Sequence, residues 1–286
     1  MNDHIPARSV WTALGASLMM AAMGAAVKSA APLLGNEMVV FLRNAFGLAF
    51  LMPGLLRRGP GFLATRRLPA HLGRSLFGLA AMYCFFFAIA HMNLAEAVLL
   101  NFSSPLFTAI LAALWLKEPL APKTLAAVFV GLAGIALILK PGGSIWSAAA
   151  PVGVVSAILA AVAMLNIRRM GDTEPTYRIV AYFALIGTLV SVVPLLWAWR
   201  TPPLAALGYM AAAGMFATVG QLLLTYSYAS APAAKVGTIN YSTIVFAALI
   251  GWWLWGERPD ALAMLGAILI CCAGVLVAKR PPAEAD

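Results

Sequence analysis

Two stretches of the chain decide its fold, because each is a copy of the other. Residues 101–119 read NFSSPLFTAILAALWLKEP, and residues 240–259 read NYSTIVFAALIGWWLWGERP. The two stretches begin 139 positions apart, and the same offset pairs Glu118 with Glu257. An internal repeat of this length indicates that the chain consists of two related halves.

The composition places both halves in a membrane. Of the 286 residues, 63% are hydrophobic and only 10% are charged, whereas ordinary soluble domains have about 25% charged residues. So few charges cannot cover a water-soluble globule of this length. Disorder is excluded as well, because disordered chains have low hydrophobicity. A polytopic membrane protein is the class that remains.

Long windows with few ionisable residues divide the chain into ten predicted transmembrane helices. About 20 residues cross about 30 Å of hydrocarbon as a helix, and the apolar runs are continuous rather than alternating, which favours helices over barrel strands. The predicted helices cover about residues 10–29, 37–56, 71–91, 94–116, 122–140, 149–168, 177–198, 204–229, 233–255 and 260–278. The predicted fold class is an all-α polytopic membrane protein.

The ten predicted helices form two sets of five, in residues 1–145 and 146–286. Because five is odd, the second set enters the membrane upside down relative to the first. Inverted repeats related by a pseudo-two-fold axis in the membrane plane are a transporter architecture. Two such halves can exchange roles, one opening outward while the other opens inward.

The basic residues predict the orientation. On the predicted spans, fourteen Lys and Arg residues lie on the side of the two termini and four lie on the opposite side. The positive-inside rule then places both termini in the cytoplasm. The net charge of +9 is therefore a topology signal. It does not indicate a nucleic-acid partner, because the basic residues are spread over loops instead of gathered on one surface.

No motif in the sequence indicates catalysis, a cofactor or a metal. The three His residues are scattered, the three Cys residues lie within predicted spans, and no P-loop, nucleophile elbow or CxxC spacing occurs. We therefore predict that the chain is not an enzyme and uses no cofactor or metal. Without a nucleotide site, transport would draw on an ion gradient or on the gradient of the substrate itself.

The paired stretches carry a resemblance to a known family. Together with the ten predicted spans and the glycines that follow, in Gly131–Gly134 and at Gly266 and Gly274, they resemble the drug/metabolite transporter superfamily, and most closely its EamA-domain branch. The resemblance implies a bacterial inner-membrane exporter of small metabolites, as a monomer or homodimer. Among the branches it favours an exporter of neutral amino acids, including aromatic ones.

Three alternatives stay open at this point. The first is an exporter of drugs or other metabolites. The second is a structural or regulatory membrane protein without transport activity. The third is an intramembrane enzyme that acts on lipid.

Asn101 and Asn240 are the first candidates for a substrate site, because they are repeat mates inside predicted spans, where polar groups are costly in lipid. Each is followed by an aromatic and a hydroxyl residue, which are Tyr241 and Ser242 in the second copy. We predict that these residues face a central cavity and bind the carboxylate or amine of a substrate. The alternative is that each amide joins its helix to a neighbour.

Four more candidates lie in spans three and eight, which the resemblance places around the cavity. We expect Tyr83, Phe86, Gln221 and Tyr226 to contact an apolar or aromatic group of the substrate. The alternative is that these side chains face lipid or a neighbouring helix.

Pro105 removes a backbone hydrogen bond within span four, so it is the candidate hinge, unless it only shapes its helix.

Few charges are left near the predicted interior. Glu96 and His91 are the candidate proton-coupling pair, because a carboxylate in a partly desolvated mouth could carry a proton. The alternative for Glu96 is a solvated helix start, where a carboxylate is favoured by the helix dipole. Arg43, inside span two, is predicted to bond backbone carbonyls or to reach the interface, and the alternative is that it binds substrate. An almost uncharged interior would suit neutral or zwitterionic substrates.

Overall fold

A computed structural model describes residues 7–115, 122–139, 149–170, 173–230, 236 and 239–278, and this part of the chain is helical without any strand. The helices are α1 (Ala7–Ala30), α2 (Asn36–Arg58), α3 (Leu68–His91), α4 (Leu94–Asn101), α5 (Ser104–Trp115), α6 (Pro122–Leu139), α7 (Ala149–Met170), α8 (Thr176–Val192), α9 (Leu195–Ala198), α10 (Leu204–Ser230), α11 (Ser242–Trp255) and α12 (Ala261–Ala278). A short 3₁₀ turn at Pro60–Leu63 follows α2. Glu118 lies outside the described residues.

The described helices confirm the all-α membrane class. Six of them are long and apolar enough to cross a membrane: α1, α2, α3, α7, α10 and the combined segment Leu94–Leu111. Four shorter apolar helices lie within α6, α8, α11 and α12. The count of ten spans stays a prediction, because these shorter helices fall below the length of a full span.

Two predicted spans are broken rather than continuous. The predicted span at 94–116 is divided into α4 and α5 by a turn at Phe102 and Ser103, with Pro105 as the second residue of α5. Proline lacks the N–H that would continue the helix, and its ring clashes with the carbonyl four residues earlier. Ser103 Oγ donates a hydrogen bond to the Leu100 carbonyl at 2.5 Å. The predicted span at 177–198 is broken in the same way, next to Pro194.

Helix packing follows the repeat. α1 of the first half packs on α10 of the second half, and α7 of the second half packs on α3 of the first half. Because α7 is the repeat mate of α1 and α10 is the repeat mate of α3, replacing each helix by its mate turns one contact into the other. The contacts of α2 with α10 and of α8 with α3 exchange likewise. The helices α6 and α12 are repeat mates, and so are α2 and α8, so the contact within each pair stays the same under this exchange. This is the packing expected of two halves related by a pseudo-two-fold axis.

Small residues allow the closest of these helix contacts. Ala21 and Ala25 of α1 and Ala157 and Ala161 of α7 are all buried.

The α6–α12 crossing depends on two glycines. A Cβ atom added to Gly134 would lie 2.8 Å from the carbonyl oxygen of Gly266, and one added to Gly266 would lie 2.7 Å from that of Gly134. The two backbones therefore touch at this point.

Candidate functional site

A largely buried ion pair ties three segments together at one end of the helix bundle. We call the side of the membrane where α1 begins the terminal side, and the other the opposite side. At the opposite side, Lys28 in the last turn of α1 pairs with Glu257, which follows α11. Lys28 Nζ also donates to the Met92 carbonyl at 2.7 Å and lies 5.4 Å from the centre of the Trp255 ring. The side chains of Lys28 and Glu257 are only 14% and 11% exposed.

The carboxylate of Glu257 has a second role in this arrangement. Its Oε2 accepts a hydrogen bond from the backbone N–H of Leu94 at 2.8 Å, at the first residue of α4. A helix start has free N–H groups and a positive dipole end, and both favour a carboxylate. The Lys28–Glu257 pair, which we call the clasp, thus ties α1 and α4 to the loop after α11.

A cavity of about 280 Å³ lies between the two halves. Its lining extends toward the terminal side, because Arg74 is in the second turn of α3 and Ile167 is in the last turn of α7. Most of the lining is apolar and rich in Met and Phe. The cavity is lined by Met20, Met23, Arg43, Arg74, Gly78, Ala81, Met82, Phe85, Phe86, Val98, Asn101, Phe102, Ala160, Ala163, Met164, Ile167, Phe183, Gln221, Leu224 and Thr243.

Three of the predicted site residues line this cavity: Phe86, Asn101 and Gln221. Phe86 is 2% exposed and belongs to the hydrophobic core. Asn101 is the last residue of α4, and its Nδ2 donates to Ser156 Oγ of α7 at 3.0 Å. The amide therefore joins two helices and also borders the cavity, which combines the two alternatives drawn from the sequence.

Five predicted binding residues lie outside the cavity lining: Tyr83, Tyr226, Asn240, Tyr241 and Ser242. Tyr226 is 46% exposed on α10. The ring of Tyr241 lies 5.8 Å from that of Phe102, which does line the cavity. The repeat therefore does not place its second copy, Asn240 to Ser242, at the cavity as it does Asn101, and a binding role for these five residues stays a prediction.

Neither candidate for proton coupling borders the cavity. Glu96 Oε1 accepts a hydrogen bond from Asn93 Nδ2 at 3.2 Å, in the first turn of α4. His91 is exposed, its Nδ1 is 2.8 Å from the Phe87 carbonyl, and its ring stacks on Phe87 at 4.2 Å. This geometry matches the helix-start alternative for Glu96. Pro105 follows the break between α4 and α5, so its position is compatible with a hinge.

Two arginines are the residues that sequence reasoning missed. Arg43 lines the cavity instead of reaching the interface, and Arg74 lines it although it was counted among the basic residues flanking the membrane. The expectation of an almost uncharged interior is therefore wrong for this cavity. A charged residue inside a span is a signal of function by default, and Arg43 carried that signal.

A second buried polar cluster lies on the terminal side, in the loop between α7 and α8. Glu174 Oε1 accepts from Thr65 Oγ1 at 2.5 Å, and its Oε2 accepts from Arg178 Nη1 at 2.9 Å. His71 Nε2 lies 3.5 Å from the same carboxylate. Burial acts to raise the pKa of Glu174, but the hydrogen bonds from Thr65 and Arg178, the charge of Arg178 and the nearby His71 outweigh it, so this pKa lies below its ordinary value.

The lowered pKa of Glu174 predicts how stability depends on pH. Because the folded chain holds the pKa below its unfolded value, the ionised carboxylate contributes its full stabilisation above about pH 4.3. This contribution is lost as the pH falls through the folded pKa. We expect the melting temperature of the purified protein to fall on acidification from about pH 5 to pH 3, and Glu174→Gln to flatten that decline. Glu37→Gln, at a carboxylate without an ion pair among the described residues, should leave the decline unchanged.

A helical bundle with an internal repeat and a cavity between the halves is an architecture of membrane transporters. The profile of the EamA-like transporter family matches residues 7–140 and 147–279. The chain belongs to the EamA-like transporter family, which confirms the resemblance drawn from the repeats. Its substrate is therefore a small molecule, and membership of a transporter family points to transport rather than catalysis.

Relatives with assigned names support this membership. The chain is 36% identical to the pseudopaline exporter CntI of Pseudomonas aeruginosa, over 94% of this chain and 95% of that protein. It is 28% identical to a riboflavin transporter of Rhizobium johnstonii, over 84% and 80% of the two chains. It is 25% identical to an S-adenosylmethionine uptake transporter of Rickettsia bellii, over 97% and 96%.

One solved crystal structure shares the fold. It superposes with a TM-score of 0.66 at 21% identity, over 95% of this chain and 96% of that one. At this identity the likeness shows the fold alone.

Proposed function

We propose that the chain is a secondary exporter in a bacterial inner membrane, with both termini in the cytoplasm. It moves small metabolites, amino acids and related compounds among them, out of the cell by alternating access. The observation that carries this proposal is the cavity between the two halves, whose lining extends toward the terminal side, while at the opposite side the clasp ties α1 and α4 to the loop after α11. Such an arrangement corresponds to the state of an exporter that receives its substrate from the cytoplasm.

Direction and substrate class have separate support. The excess of basic residues on the terminal side supports a cytoplasmic terminal side, and a relative with 36% identity is named an exporter. The Met and Phe side chains of the lining suit a substrate with an apolar or aromatic portion, which they would contact by burial and ring packing. Asn101 and Gln221 supply hydrogen-bonding groups that would orient it.

The alternative substrates are drugs or other metabolites. The relatives are named for different solutes, pseudopaline, riboflavin and S-adenosylmethionine, so the fold accommodates several chemistries. A predominantly apolar lining would also accept an apolar drug. The same cavity would serve either class, and the export assay below tests the amino-acid class.

Filling the cavity tests whether export passes through it. Ala160 of α7 lines the cavity, and Val155 of the same helix is 46% exposed and outside the lining. We expect Ala160→Trp to lower export at least tenfold because the indole ring occupies the substrate space, and Val155→Trp to leave export within about twofold. The assay feeds a phenylalanine dipeptide to cells that make the protein and measures phenylalanine released to the medium. Export by both variants at the rate of the unaltered protein would contradict the proposal.

A further inference from the structure

Two positive charges stand against an otherwise apolar cavity. Arg43 comes from α2 and Arg74 from α3, and both line the space between the halves. The residue Arg43 is only 9% exposed. The two guanidinium groups are close enough to interact electrostatically, and that interaction is repulsive.

Neither arginine is neutralised by a carboxylate among the described residues. Arg43 Nη1 donates to Asn44 Oδ1 at 3.1 Å, and its Nε is buried without a hydrogen-bond partner. Arg74 Nε is also buried without a partner, and its guanidinium carbon lies 4.2 Å from the centre of the Phe183 ring. In the described ranges, Glu174 pairs with Arg178 and Glu257 pairs with Lys28, so these acids do not balance the cavity.

Buried charges of like sign are costly unless an anion accompanies them. A guanidinium group presents its N–H donors in a fork that matches a carboxylate with two parallel hydrogen bonds. Two guanidinium groups face one cavity, and each has an unused N–H donor. An anionic ligand would supply both the missing acceptors and the missing negative charge.

The depths of the two arginines distinguish between kinds of anion. Arg74 is six residues from the terminal-side end of α3, and Arg43 is fifteen residues from the terminal-side end of α2. At 1.5 Å of rise per residue, their backbones differ in depth by roughly 13 Å. Two carboxylates on one molecule would give each guanidinium fork its own acceptor, whereas a single phosphate would require both side chains to reach one point from backbones at different depths.

We propose that Arg43 and Arg74 form an anion subsite, and that the transported substrate is a small organic acid with two carboxylates and an apolar portion. This inference rests on the proposed function, because it names the substrate class of the same cavity. It replaces the neutral substrate expected from the sequence with a net anionic one. Phe86 and the neighbouring Met side chains would hold the apolar portion, and each guanidinium would hold one carboxylate.

Ligand binding tests the subsite independently of transport. The probes are 2-phenylsuccinate with two carboxylates, 3-phenylpropionate with one, phenylalaninamide with none, and inorganic phosphate. Calorimetry with the purified full-length protein should show that 2-phenylsuccinate binds at least tenfold more tightly than each of the other three. Equal binding of the dicarboxylate and the monocarboxylate would overturn the proposal, and tighter binding of phosphate would replace it with a phosphate site. All four binding measurements use the unaltered protein, so they do not depend on whether a variant folds.

Neutral variants separate a binding role from a structural one. Arg43→Gln and Arg74→Gln should each lower the affinity for 2-phenylsuccinate at least tenfold and remove its preference over 3-phenylpropionate. Without ligand, both variants should melt no lower than the unaltered protein, because each removes part of a buried repulsion.

Arg74→Lys should retain part of the preference, and Arg200→Gln, at an exposed arginine, should retain all of it. Variants that unfold without ligand, or that keep the preference, would assign the arginines a structural role. Export of phenylalanine without 2-phenylsuccinate binding would remove the subsite and leave the proposed function intact.

Discussion

Glu257→Ala should both destabilise the protein and abolish most of its transport. The substitution leaves Lys28 charged and largely buried without its partner, and it leaves the N–H of Leu94 without its carboxylate acceptor. Removing one partner of a buried pair costs roughly 3–5 kcal/mol. We expect a lower melting temperature and an export rate reduced at least tenfold, because the opposite end can no longer close around α1 and α4.

Two further variants show which function of the clasp matters. The double variant Lys28→Met with Glu257→Gln removes both charges. Because Gln can still accept a hydrogen bond from the Leu94 N–H, the melting temperature of this double variant should be higher than that of Glu257→Ala. The exchange of Lys28→Glu with Glu257→Lys keeps an ion pair but places a cation at the start of α4. This exchange should not restore transport, since a helix start disfavours a positive charge. Full recovery by the exchange would show that the ion pair alone matters.

Gly134→Ala should separate α6 from α12. The new Cβ would lie 2.8 Å from the carbonyl oxygen of Gly266, a backbone atom that cannot move without its helix. Overpacking of this kind costs about 1–3 kcal/mol, so the melting temperature of the purified protein should fall. Gly266→Ala should have a similar effect, because its Cβ would meet the Gly134 carbonyl oxygen in the same way.

A matched glycine distinguishes a steric effect from a change in helix propensity. An added Cβ at Gly208 in α10 would have no atom within 4 Å outside its local helix. Gly208→Ala should therefore keep or slightly raise the melting temperature, since alanine is the better helix former. If Gly134→Ala and Gly208→Ala melted alike, the close crossing of α6 and α12 would be disproved.

The fold was predictable because membrane helices are encoded locally. Runs of apolar residues long enough to cross the bilayer mark α1, α2, α3, α7 and α10, and the repeat of Asn101 in Asn240 revealed the two related halves. The breaks at Ser103 and Pro194 were less visible, because a proline in an apolar run can kink, end or merely shape a helix.

The site was predictable only in part, because it depends on which face each helix turns inward. Asn101 was recognised from its polarity and repeat position, and Phe86 and Gln221 from the spans that the resemblance places around the cavity; all three line the cavity. Arg74 was not recognised, since its place near a span end looks the same in sequence as that of an arginine outside the membrane. Only the packing of α3 against α7 and α8 turns its side chain toward the cavity and over the Phe183 ring.

The unknown orientation of each helix also explains why the sequence wrongly predicted an almost uncharged interior. Sequence counts located few charges within the spans and therefore predicted a neutral interior. Packing then brings Arg43 together with Arg74 from a neighbouring helix. Pairwise proximity between helices is a tertiary property, and the composition of each span does not contain it.

Counterflow across vesicles tests the central claim, transport through this cavity, most directly. Purified protein is reconstituted into vesicles loaded with unlabelled solute, and uptake of the same labelled solute is followed without nucleotide, with phenylalanine and 2-phenylsuccinate as separate probes. The account predicts transient accumulation of label above the external concentration for at least one probe, and its loss in Ala160→Trp but not in Val155→Trp. Folded protein that moves neither probe, or that moves them equally well with the cavity filled, would contradict it.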